Sequence, residues 1–106
     1  MKREDFLKFM ERKCAVLVDL SRAAQKEYAH GEEDNCFNNF IRVGQEVDAH
    51  PMKVLWVYAM KHKDGIAAWL KGHKSQREDV TGRIKDLIVY LFILWAWIES
   101  HNESKE

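Results

Sequence analysis

The chain reads as an all-α protein, a small helical bundle of three long helices and one short one. Three observations predict it. Apolar residues recur at helical spacing through every long segment, and no stretch alternates as a strand does. The chain holds a single proline, Pro51, placed where a helix can begin. Its 106 residues suit one domain, which can bury roughly two-thirds of the surface its unfolded form exposes. We read residues 1–100 as that domain and 101–106 as a polar C-terminal tail.

The elements follow in order. Phe6, Phe9, Met10, Cys14, Leu17, Leu20, Ala24 and Tyr28 mark one face of a first helix over about 4–28. Gly31, after His30, is suited to the left-handed position that ends it. Asp34 or Asn35 is placed to cap a short second helix, whose apolar side carries Phe37, Phe40, Ile41 and Val47. Pro51 is the expected first residue of a third helix, about 51–71, ended by Gly72. Ser75-Gln76-Arg77-Glu78 has the form of a capping box, which starts a fourth helix running to about Ser100.

Composition narrows the function classes. The 17 basic and 17 acidic residues cancel, so no general nucleic-acid footprint is present. The apolar run Leu87–Ile98 falls short of the roughly 20 residues that span a bilayer. The N-terminus leads into an amphipathic helix rather than a secretory core. Cys14 and Cys36 lack zinc-ligand spacing, and Cys14 falls on an apolar helical face as a small core residue. The five histidines form no HxxxH or HExxH pair, so no metal ligand and no resident cofactor are expected. These features point to a cytoplasmic protein with no membrane contact. Four Trp, five Phe and three Tyr are many for so small a body. The fourth helix is too apolar to be covered by three neighbours, so a homo-oligomer built around it is expected.

Candidate chemistry lies on polar residues that enter apolar faces. Asp79, Arg83, Asp86 and Tyr90 recur along one side of the fourth helix. Two readings compete. The stripe is an internal salt-bridge ladder capped by a tyrosine, or it lines a pocket. In the pocket, Arg83 offers a planar fork to phosphate or carboxylate, Asp86 orients it or accepts from a ligand, and Tyr90 offers a hydroxyl and a stacking face. The third helix adds Tyr58, Lys61 and Gly65 near one face, with Lys61 directed toward Asp86. A mid-helix glycine costs about 1 kcal/mol relative to alanine, so Gly65 marks close approach of a helix or ligand. His62 and Lys63 read as a solvated face. Asn35 has the structural role of tying a loop to a helix end. Asn39 lies beside the core, where its amide is structural or reads a base edge. Tyr28 and His30 face a ligand or seal the bundle. Trp95 and Trp97 point to different sides and read as core plus interface.

Tyr28 and Gly31, then Phe37, Asn39 and Phe40, then Lys61, then Asp86-Leu87-Ile88-Val89-Tyr90 form an ordered series. Over roughly residues 20–95 this series resembles the phage and prophage family of small helical nucleotide-modification-associated proteins. That family is loosely similar to the all-α MazG-like nucleotide pyrophosphohydrolases. The resemblance implies a nucleotide-type ligand met by Tyr28, Asn39, Lys61, Asp86 and Tyr90, and the reading of the residues adds His30, Gly65 and Arg83 to the expected ligand-binding set. MazG-like enzymes carry ExxE and ExxD motifs that hold magnesium against phosphates. This chain has no ExxE ahead of its fourth helix, and Arg83-Ile84-Lys85-Asp86 places arginine where a closing ExxD has its first carboxylate. Magnesium requires carboxylate oxygens, whereas arginine meets phosphate directly.

The expectation is therefore a phage-type protein, in the cytoplasm of a bacterial host, with no catalytic residue. It binds a nucleotide or cyclic nucleotide without hydrolysing it, and sequesters a host immune signal as an anti-defence sponge. The alternative is a divergent magnesium-dependent pyrophosphohydrolase with Glu46, Asp48, Asp79 and Asp86 as ligands. A structural helical interaction module is the third reading.

Overall fold

In a computed structural model, the chain is described over residues 1–28, 35–74 and 77–101, with side chains in the first stretch described through residue 24. Four helices and no strand occur among the described residues: α1 Arg3–Tyr28, α2 Asn38–Val47, α3 Pro51–Leu70 and α4 Val80–Ser100. The all-α class and the division into three long helices and one short one agree with the sequence reading. The chain divides into two compact units, Met1–Asp34 and Asn35–Glu106.

The first unit is built on α1. Glu4 and Asp5 sit in its first turn, where negative charge meets the unpaired amides and the positive end of the helix dipole. Lys13 Nζ lies 5.5 Å from the Phe9 ring centre, one turn away. Cys14, expected in the core, is exposed. A helical stripe records which side is apolar, not what covers it. The predicted C-terminal residue Gly31 and the alternative cap Asp34 lie outside the described residues.

The second unit packs α3 against both α2 and α4. Its entry is an Asn35 turn: Asn35 Oδ1 accepts from the Phe37 amide at 2.9 Å, and the Asn35 carbonyl accepts from the Asn38 amide at 3.1 Å. Asn35 thus has the loop-tying role its side chain favours. The cap position itself is Phe37, which supplies no side-chain cap. Asp48 ends α2 with φ 54°, a left-handed conformation that Asp tolerates better than most residues.

His50 then caps α3, its Nδ1 accepting from the Met52 amide at 3.0 Å, and Pro51 opens the helix where its missing N–H costs nothing. Gly72 follows α3 with φ 99°, a conformation reserved in practice for glycine. The fourth helix differs from expectation. It begins at Val80, with Asp79 at the cap position and no side-chain cap. Ser75, the expected cap, lies outside the described residues, and Glu78 is freed from a capping box for another role.

The core is Phe40, Met52, Val54, Leu55 and Trp97, with Tyr58, Tyr90, Ile93 and Leu94 packed against it. Leu55 is fully buried at its centre. Trp97 seals one end: Phe37 and His50 meet it edge-on at 5.1 and 5.3 Å, and His101 stacks on it at 3.8 Å. Trp95 points the other way and is 60% exposed. Ile84, Ile88, Leu91 and Phe92 share the exposed side of α4, and the Phe92 and Trp95 rings are stacked 6.2 Å apart. No helix among the described residues is long and apolar enough to cross a membrane.

Candidate functional site

Polar side chains gather where α3 faces the first turns of α4. The spacing of α3 explains which of them turn inward. Leu55, Ala59 and His62 are buried and Ile66 half-buried, at steps of four, three and four along one helical stripe. His62 therefore takes a core position, with its side chain 7% exposed. This corrects the sequence reading, which placed His62 on a solvated face and turned Lys61 inward. One residue along a helix is a rotation of about 100°, so the two cannot share a side. Lys61 is 64% exposed and pairs with Glu78 at 3.4 Å, not with Asp86.

Gly65 is one turn beyond Lys61 and His62, and the close approach it was expected to mark is that of Arg83. A Cβ at this position would collide with Cδ, Nε and Cζ of Arg83. The missing side chain is what lets the arginine lie flat across α3. In that place the Arg83 side chain is only 13% exposed. Its Nη1 donates to the Lys61 carbonyl at 3.4 Å and stands 3.9 Å from Glu78 Oε2. Its buried Nε has no hydrogen-bond partner among the described residues. Arg83 is thus not a rung of an Asp79–Arg83–Asp86 ladder. Among the described residues its acidic partner is Glu78, which precedes the helix, and the partner of Asp86 is His62.

His62 lies between two carboxylates. Nδ1 is 3.7 Å from Glu78 Oε2, and Nε2 is 3.7 Å from Asp86 Oδ2. Both separations exceed hydrogen-bond distance. The imidazole plane is held by Tyr90, stacked at 5.7 Å. Tyr90 also meets Phe40 edge-on at 6.2 Å and Tyr58 at 6.4 Å, so its ring belongs to the core as well as to the site. One face expected to stack on a ligand is given to His62.

Glu78 is the hub. Lys61, His62 and Arg83, from two helices, converge on its carboxylate. Partial burial works to raise its pKa, but the Lys61 hydrogen bond and the nearby charges of Lys61, Arg83 and His62 prevail. The carboxyl is held below its ordinary value.

Of the residues singled out from the sequence, the structure brings together Lys61, Gly65, Arg83, Asp86 and Tyr90. Asn39 is not part of the cluster, since its Oδ1 accepts from Arg42 within α2 at 2.6 Å. The side chain of Tyr28 and all of His30 lie outside the described residues. The carboxylates Glu46, Asp48 and Asp79 do not join Asp86 in a ligand group among the described residues; the group that forms there is His62, Glu78 and Asp86. His62 and Glu78 were therefore missed as site residues. The Leu55-Ala59-His62-Ile66 stripe was a readable signal for the first. Glu78 had none, because its local sequence favours a capping role. Comparison with known proteins returns no match, whether to a family model, a curated sequence or a solved structure.

Proposed function

We propose that this protein binds a nucleotide-type ligand through its phosphate and does not hydrolyse it. The observation that carries this reading is the convergence of Lys61, His62 and Arg83 on one carboxylate. Three nitrogen-bearing side chains around an acidic group form an anion site, and here the anion is the chain's own Glu78. A phosphate presents more acceptor oxygens and more charge than a carboxylate, so it competes well for the same donors. Arg83 Nη1 is only weakly engaged, by a long bond to a carbonyl and a 3.9 Å approach to Glu78. Asp86, 58% exposed beside the cluster, is placed for polar readout of a sugar or base.

The wider role rests on the resemblance of the ordered motifs and on small size. In that role the protein is a phage product in a bacterial cytoplasm, holding a host signal nucleotide out of circulation. Assembly around α4 belongs to the same proposal. It is supported by the exposed apolar side at Ile84, Ile88, Leu91, Phe92 and Trp95.

Native mass spectrometry with linear and cyclic nucleotides, before and after incubation with magnesium, tests the reading. An intact adduct is expected. Glu78→Gln should tighten binding by removing the internal competitor, and Arg83→Ala should weaken it tenfold or more. Absence of any adduct in wild type and in Glu78→Gln would overturn the proposal. Cleaved nucleotide that depends on magnesium would favour the pyrophosphohydrolase, a reading supported by the carboxylates Glu78 and Asp86 flanking His62.

A further inference from the structure

One ring nitrogen of His62 and one carboxylate oxygen from each of Glu78 and Asp86 all lie within 4.8 Å of one another. Nδ1 is 3.7 Å from Glu78 Oε2 and Nε2 is 3.7 Å from Asp86 Oδ2, and an ion held by one ring nitrogen uses one such separation. That distance is too long for a hydrogen bond. It is close to the spacing of two ligands on one ion, since bonds of about 2.0–2.1 Å in a tetrahedral shell set donors about 3.4 Å apart. An independent observation points the same way. The His62 side chain is more than nine-tenths buried, and its Nδ1, facing Glu78, is buried with no hydrogen-bond partner among the described residues. A buried ring nitrogen is costly to leave unbonded, and Tyr90 stacked on the imidazole fixes its plane. The two acids are the adjustable members, 41% and 58% exposed, so both can close on an ion without disturbing the core.

We propose that His62, Glu78 and Asp86 bind a divalent first-row transition ion, with zinc the best match. Imidazole nitrogen together with two carboxylates suits zinc better than magnesium, which prefers oxygen throughout. Three protein ligands leave one position open to water or to an oxygen of a bound anion. Metal and anion binding also share Glu78. When its carboxylate turns to the ion, Lys61 and Arg83 are released toward a second anion. The metal site does not depend on the nucleotide reading, and it replaces the sequence expectation that the chain has no metal ligand.

The test is titration of the metal-stripped full chain with zinc chloride against a chromogenic chelator. One ion per chain is expected. Glu78→Gln and Asp86→Asn, both at exposed side chains, should each weaken binding tenfold or more, and His101→Gln should leave it unchanged. Nitrogen-15 spectra should show zinc shifting the His62 ring signals. Equal affinity in wild type, Glu78→Gln and Asp86→Asn would overturn the proposal, as would zinc shifting other histidine rings and not His62. Nucleotide binding measured separately in EDTA lets the anion site fail or stand on its own.

Discussion

The contact between Gly65 and Arg83 can be tested by one substitution in two backgrounds. In mid-helix, alanine is preferred to glycine by about 0.8–1 kcal/mol. At position 65 this gain is opposed, because the new Cβ would occupy the space of Cδ, Nε and Cζ of Arg83. The arginine must then swing out. Its methylene stem is worth about 0.8 kcal/mol per buried group, or about 2 kcal/mol if wholly exposed, and a displaced side chain keeps some of that cover. The pair with half-exposed Glu78 is screened by solvent and adds little. Loss and gain together leave Gly65→Ala about 0–1 kcal/mol less stable than wild type. With Arg83→Ala already in place no collision remains, and Gly65→Ala should stabilise by about 1 kcal/mol. Urea unfolding of the four proteins, followed by tryptophan fluorescence, gives the cycle directly. A coupling energy of at least about 1 kcal/mol is expected. If Gly65→Ala has the same effect in both backgrounds, Arg83 does not lie over Gly65 in solution.

Other outcomes follow from the same structure. Leu55→Ala removes the fully buried centre of the core and should cost about 2–5 kcal/mol in urea unfolding. Because the Glu78 carboxyl is held below its ordinary value of 4.5, its contribution to stability is complete above that pH and fades as pH falls through the lower folded value. Melting temperatures of wild type and Glu78→Gln should therefore converge on acidification and separate above it; a gap that widens toward acid would contradict the assignment. Trp95→Glu places a charge in the exposed apolar side of α4, and sedimentation should show a smaller species than wild type if that side joins copies of the chain.

Helical periodicity made most of the secondary structure legible. Pro51 announced the start of α3, Gly72 its end, and the absence of alternating patterns excluded a sheet. Even the close approach at Gly65 could be read, since an unexplained glycine in a helix asks for a neighbour. The start of α4 could not, because Ser75 to Glu78 has good local capping chemistry, yet the helix begins at Val80. Local preference of about 1 kcal/mol is easily overridden when a side chain such as Glu78 finds three charged or polar partners elsewhere.

What the sequence determined by itself was the class, the order of the helices and the two polar stripes that enter apolar faces. Tertiary packing decided how those stripes meet. A rotation of one residue separates Lys61 from His62; the Leu55-Ala59-His62-Ile66 stripe signalled the inward one, and the burial of Leu55, Ala59 and His62 establishes it. Likewise, spacing along α4 offered Asp79 and Asp86 to Arg83, but the open surface at Gly65 draws the arginine across to α3 and to Glu78. Periodicity specifies neighbours along a helix. Partners between helices depend on the rotation and depth at which their surfaces pack, which no single helix encodes.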